Sequence, residues 1–225
     1  HWRAIRGSVA LSSDEKPYAH ERARQALREH FERTGKAVTV ERGLWQFHRV
    51  RYRLPENPPP VSLILSVNGN GETAEKLTAG FLAETDYPKL EILLAETEDS
   101  SRAESLNRAV SAASGEVLCF VDAGLQPVSK DWLAELTSFA IQTEIGAVGG
   151  KILAPDDTIA GGAFVIGFDD LTGTAFQGLP RETDRNLLRA CLVNNFSAVS
   201  AFRVTIAAEC PPEYLLIFSI ASVAF

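Results

Sequence analysis

The sequence predicts an α/β fold, in which a mainly parallel sheet flanked by helices follows a small N-terminal helix-plus-hairpin unit. Three observations predict it. After Asn57-Pro58-Pro59-Pro60, short apolar runs alternate with segments of helical period, as crossover helices between parallel strands require. Before those prolines, one segment of helical period is followed by two runs in which apolar and polar residues alternate. The charge balance switches at the same place: residues 1–60 carry 12 Lys+Arg and 7 Asp+Glu, and the remainder carries 10 and 22. The prolines therefore divide the chain into a linker unit, 1–56, and a larger domain, 57–225.

In the first unit, Ser12-Ser13-Asp14-Glu15 ahead of Lys16-Pro17 supplies a capping side chain and a first-turn proline for a helix. Ala23, Ala26, Leu27, His30 and Phe31 continue it, and Gly35 stops it. Val38 and Val40, then Val50, Tyr52 and Leu54, alternate with polar residues on either side of Gly43, so a hairpin is expected. In the second unit, strands are expected at 61–67, 90–95, 117–121 and 147–153, and helices at 73–84, 102–113 and 131–142. Beyond Pro155 the chain is rich in glycine and less regular. The apolar stretch Tyr214–Phe225 is about half the length of a membrane span. It reads as a buried strand or helix, with a membrane segment as the alternative.

Composition excludes several classes. Of 225 residues, 45% are apolar and 23% charged, ordinary values for a globular domain. A net charge of −7 argues against nucleic acid as the partner. Cys119, Cys191 and Cys210 are scattered and odd in number, so no disulfide framework or zinc site is indicated. The four histidines, His1, His20, His30 and His48, all lie in the first unit, and His20 and His30 are expected on a helix surface rather than at a metal. His1-Trp2-Arg3 lacks the apolar stretch of a signal peptide. The chain contains no methionine, and it reads as part of a longer protein.

The C-terminal ends of parallel strands share one sheet edge, and open α/β sheets bind ligands there. Asn68, Glu96 and Asp122 each follow a strand end and are expected to converge on that edge. Each also has a structural alternative. Asp122 can cap a turn, Glu96 can join Glu98 and Asp99 in a solvated acidic loop, and Asn68-Gly69-Asn70-Gly71 can be an ordinary turn. That turn lacks the lysine and spacing of a phosphate-binding P-loop.

The segments that carry these residues, in this order, resemble family 2 glycosyltransferases, which have the Rossmann-like GT-A fold. The resemblance rests on Pro60-Val61-Ser62-Leu63-Ile64-Leu65-Ser66-Val67-Asn68, on Thr85-Asp86-Tyr87-Pro88-Lys89-Leu90-Glu91-Ile92-Leu93-Leu94, and on Ser105-Leu106-Asn107-Arg108-Ala109 with Ala113-Ser114-Gly115-Glu116. Trp132-Leu133 and Gly146-Ala147-Val148-Gly149-Gly150-Lys151 follow in the family's order. The chain is most similar to large bacterial enzymes that build O-antigen and related surface polysaccharides. That subgroup is matched by the His-Trp-Arg…Lys-Pro-Tyr segment, Pro155-Asp156-Asp157-Thr158-Ile159, Gly178-Leu179-Pro180-Arg181 and Phe196-Ser197-Ala198-Val199-Ser200-Ala201.

The resemblance implies transfer of a sugar from a nucleotide-diphosphate donor, of UDP or dTDP type, to a bacterial glycan. It implies a cytoplasmic location, at or near the inner face of the membrane, and neighbouring domains in a longer protein. Asn68 matches the loop that touches the nucleotide, Glu96 the acidic residue that reads the base, and Asp122 the first carboxylate of an Asp-x-Asp metal motif. A divalent Mn or Mg ion would neutralise the leaving diphosphate there. Three departures follow. Gly124 stands where the second carboxylate belongs, the span from Glu98 to Ser105 lacks a usual strand and helix, and no general base is found after Ala201, so the acceptor half is incomplete. The catalytic residue is therefore unassigned, and weak or lost activity is expected. The alternative is a non-catalytic nucleotide-binding or scaffolding module of the same fold. A nucleotidyltransferase is the more remote rival, since its Arg- and Lys-bearing loop after the first strand is missing.

Overall fold

The computed structural model describes residues 17–43, 47–67, 74–96, 101–122, 124–143, 145, 147–161, 164–168, 171–174, 177–181 and 200–203. The chain divides into two compact units, His1–Arg53 and Leu54–Phe225. The expected capping stretch Ser12–Lys16, the loops around Asn68 and Glu98, Cys191, Cys210 and the apolar stretch Tyr214–Phe225 lie outside the described residues.

The first unit holds helix α1 (Pro17–Arg33) and a hairpin of β1 (Val38–Arg42) and β2 (His48–Tyr52). Proline opens α1 because its missing N–H has no helical partner at that position anyway. Gly35 closes it in the left-handed region, with φ of 67°. The Lys36 amide then reaches back to the Phe31 carbonyl at 3.0 Å and the Gly35 amide to Glu32 at 3.1 Å, the paired bonds of a Schellman stop. The hairpin pairs Val40 with Val50 and Val38 with Tyr52, as the alternation predicts. Leu54, expected to extend the second strand, lies beyond its end and packs instead with the apolar core of the second unit.

The second unit is built on β3 (Val61–Val67), α2 (Ala74–Ala83), β4 (Leu90–Glu96), α3 (Arg102–Ala112), β5 (Val117–Asp122), α4 (Trp132–Ala140) and β6 (Ala147–Gly149). It continues through β7 (Ile152–Leu153), β8 (Ile159–Gly161), β9 (Phe164–Phe168), β10 (Leu171–Thr174) and β11 (Ser200–Arg203). One five-stranded sheet has the order β4-β3-β5-β11-β6. Strand β3 lies between β4 and β5, parallel to both. Strand β11 runs antiparallel to both of its neighbours. The α/β class, the parallel strands flanked by helices and the N-terminal helix with its hairpin are as the sequence predicts.

Strand β3 reads as a continuous apolar run because it is covered on both faces, and its first six residues are buried. The same core holds Leu106 and Ala109 of α3, Phe81 of α2, and Trp132, Leu133 and Leu136 of α4. Cys119 is fully buried in this core, and burial pushes its thiol well above the usual range, so it is inert packing. Tyr87 donates to the Pro59 carbonyl at 2.7 Å, and burial raises its phenol to about 12.

Two expectations are corrected. A single strand over 147–153 is replaced by β6 and β7, broken at Gly150-Lys151: β6 joins the main sheet, whereas β7 leaves it to pair with β8. The stretch beyond Pro155 is also more regular than its glycine content suggests. Among its described residues are β8, which pairs with β7, the β9–β10 hairpin and β11. At the β7–β8 turn, the Asp156 carboxylate accepts from the Thr158 amide at 3.1 Å and its hydroxyl at 2.7 Å. Asp157 takes φ of 65° and pairs with Arg181 at 2.8 Å. Pro155–Ile159 and Gly178–Arg181, two of the segments behind the resemblance, thus meet in space.

At the N-terminal edge of the parallel strands, Glu91 gathers three segments. Its Oε1 accepts from the Ser62 hydroxyl, from the Ser114 amide at 2.6 Å and hydroxyl at 2.9 Å, and from the Gly115 amide at 3.1 Å. These bonds, led by that from Ser62, hold the carboxyl below its ordinary value of 4.5. A pKa lower in the folded than in the unfolded state stabilises the fold above the unfolded pKa, and this contribution is lost as pH falls through the folded one. Unfolding free energy measured in urea is therefore expected to fall below about pH 4.5, with a shallower slope in Glu91→Gln. Equal slopes in the two proteins would remove Glu91 from the account. The group is partly exposed, so the effect is modest.

Candidate functional site

Asp122 is the last residue of β5, after five buried residues. The register sets it opposite Ser66 of β3. Its Oδ1 accepts from the Gly124 amide at 3.0 Å, and its carbonyl accepts from the Leu125 amide at 3.1 Å. The carboxylate therefore shapes the turn that leaves the sheet. Its Oδ2 lies 3.4 Å from an Nη of Arg102, with side-chain exposures of 25% for Asp122 and 28% for Arg102.

Arg102 is the first residue of α3. A capping box fixes it there: the Glu104 amide donates to the Ser101 hydroxyl at 3.3 Å, and the Ser101 amide donates to the Glu104 carboxylate at 3.1 Å. The Nε of Arg102 is buried without a hydrogen-bond partner among the described residues, and so is the Oγ of Ser66. Sequence reasoning missed Arg102. The signal was available, because α3 follows β4 and precedes β5, so a right-handed crossover starts α3 at the edge where β5 ends.

Glu96 is the last residue of β4 and is exposed. Its carbonyl accepts from the Ser105 hydroxyl, which ties the strand end to α3. A groove of about 300 Å³ runs between β4 and α3, lined by Leu93, Leu94, Glu96, Ser105, Arg108 and Ala109 among others. Neighbouring residues Leu93 and Leu94 both line it because β4 is the outermost strand of its sheet. Asp122 and Glu96 stand at one sheet edge on opposite sides of β3. They fall on opposite sides of the pleat, since Ser66 pairs with Asp122 and Ala95, and Val67 with Glu96. Asn68 lies outside the described residues, so its relation to the other two is a matter for proposal.

Among the described residues, the donor set does not fit a divalent ion. Asp122 offers one carboxylate, one oxygen committed to a backbone amide and the other facing a guanidinium. Among the described residues, no three His, Cys, Asp or Glu side chains come together as a metal cluster. Magnesium and manganese favour several oxygen ligands, and Gly124 adds none.

No protein-family model matches the chain. It is 31% identical over 182 residues to the O-antigen biosynthesis protein RfbC of Myxococcus xanthus, across 69% of this chain and 14% of that protein. The chain is distantly homologous to RfbC. It is also 29% identical over 236 residues to the uncharacterized protein y4gI of Sinorhizobium fredii, across 92% of this chain and 26% of that protein. The chain thus spans about a quarter or less of the curated relatives it matches. Among solved structures it is similar to the mannosyltransferase PcManGT of Pyrobaculum calidifontis, determined with GDP-Man and Mn2+. The identity is 21% and the TM-score 0.40, over 62% of this chain and 46% of that one. Among the described residues, no helix is long and apolar enough to cross a membrane.

Proposed function

We propose that residues 57–225 form a glycosyltransferase-like domain of GT-A type that binds a nucleotide-diphosphate sugar at the C-terminal edge of its parallel strands. The observation that carries the reading is Asp122 at the end of β5, beside the start of α3, in a chain homologous to an O-antigen biosynthesis protein. In this reading Asp122 lies toward the ribose and diphosphate, and Glu96 and Asn68 toward the base. The groove beside Glu96, at about 300 Å³, is at the lower end of small-molecule sites. The acceptor is a bacterial surface glycan, and the setting is cytoplasmic, near the inner membrane face. Residues 1–56 act as a linker unit to neighbouring domains.

Turnover is weak or absent in this reading, because Gly124 removes one carboxylate and no general base is assigned. The second reading, a nucleotide-binding or scaffolding module, is favoured by the Asp122 carboxylate being already engaged on both oxygens.

A thermal-shift screen with UDP, dTDP, GDP and CDP tests the shared core of both readings. A ligand at about 100 times its dissociation constant adds about 2.7 kcal/mol of stability. One nucleotide is expected to raise the melting temperature of the full chain. No shift with any of the four on folded protein would overturn the donor site. Release of nucleoside diphosphate from the matching sugar donor is expected to stay near background, and steady turnover would favour the enzyme reading.

A further inference from the structure

We propose that the Arg102 guanidinium takes the place of a divalent cation at this site and binds the diphosphate of the nucleotide directly. The inference rests on the donor-site reading above and goes beyond it in naming the group that carries the positive charge. A diphosphate held at a sheet edge needs a cation or a set of N–H donors to balance it. Arg102 is the cation that the fold sets beside Asp122, with an Nη 3.4 Å from Oδ2. A dication on Asp122 would meet the guanidinium at the same oxygen, and like charges there repel.

The geometry leaves the guanidinium with donors to offer. A guanidinium has five N–H bonds in a planar fork that matches phosphate oxygens two at a time. Asp122 engages one Nη at 3.4 Å and the Nε is closed off from solvent, so the remaining Nη N–H bonds of this partly exposed side chain are the ones left to meet a ligand. The Ser66 hydroxyl, in register with Asp122 on the adjacent strand, is a second buried polar group without a partner. Both atoms, the Arg102 Nε and the Ser66 Oγ, are closed off from solvent, so a ligand meets the outward Nη groups and not these two. Asp122 is then a positioning residue. It fixes the fork through Oδ2, and through Oδ1 it fixes the turn at Gly124.

The test is isothermal titration of the full chain with UDP, dTDP, GDP and CDP, in EDTA and again in Mn2+. The nucleotide that binds is expected to bind equally well in both. Arg102→Gln is expected to weaken it roughly 10- to 100-fold with or without metal, the worth of a charge-assisted bond. Arg102→Lys keeps the charge without the fork and is expected to fall between the two, which guards against a Gln variant that fails to fold. Gly124→Asp in the Arg102→Gln background is expected to restore binding only when Mn2+ is present. Wild-type binding that requires Mn2+, or folded Arg102→Gln that binds as the wild type does, would overturn the role of Arg102 and leave the donor site standing. No binding of any nucleotide by the wild type in either buffer would overturn the donor site, and this inference with it.

Discussion

Trp132→Ala is expected to cost about 4 kcal/mol of folding stability, most of what a marginal domain has to lose. Trp132 opens α4, is 2% exposed, and is among the largest fully buried side chains of the second unit. Its loss removes a large apolar area from the core and leaves a cavity that Leu133 and Leu136 of the same helix cannot fill from their own positions. It also strands the Thr85 hydroxyl, which accepts from the indole N–H at 3.0 Å. Urea unfolding followed by circular dichroism checks the value. Trp132→Phe, which keeps an aromatic ring but not the N–H, is expected to lose about half as much. A cost below about 1 kcal/mol for the alanine variant would mean that α4 is not packed as described.

Gly115→Ala has the second largest expected effect, about 3 kcal/mol, from a single methyl group. A Cβ at Gly115 would lie 2.5 Å from the Ser62 amide nitrogen, 2.6 Å from the Ser62 hydroxyl and 2.9 Å from the Val61 carbonyl carbon. Two of those atoms are backbone of β3, which cannot yield as a flexible side chain does. The same close approach lets the Gly115 amide donate to the Ser62 hydroxyl at 2.8 Å. Moving β5 outward would break that bond and weaken the gathering of segments around Glu91. Gly80→Ala is the internal control. Gly80 sits within α2 with nothing near its would-be Cβ, so alanine there is expected to stabilise by about 0.5–1 kcal/mol. If the two variants behaved alike in urea, the crowding at Gly115 would be refuted.

What the sequence made legible was local. Strands β3, β4 and β5 are apolar runs bounded by polar residues, and α3 lies within the helix expected at 102–113. Gly35 announces the end of α1 through a backbone conformation that few other residues tolerate. What was not legible depended on partners far away. Ser200–Arg203 is too short and too mixed to read as a strand, and it becomes one by pairing with β5 on one side and β6 on the other. The break at Gly150-Lys151 has a local signal in Gly149-Gly150, but which sheet each half joins depends on two different partners. At the site, Asp122 could be singled out from its own strand. Arg102 could be found only by following the crossover that carries the chain from β4 to β5, which sets it beside Asp122.

The position of β11 has a consequence for how the chain is made. The three parallel strands span residues 61–122 and can assemble early, while the chain is still emerging from the ribosome. Until residues 200–203 arrive, the far edge of β5 has no β11 to pair with, and its apolar residues and backbone groups are open to whatever strand comes first. For the time it takes to synthesise some eighty more residues, at about 5–20 residues per second, the element that bears Asp122 is also the one most exposed to wrong pairing. Newly made chains would therefore depend on chaperone cover over that interval, and any slowing of translation between residues 122 and 200 would lengthen it.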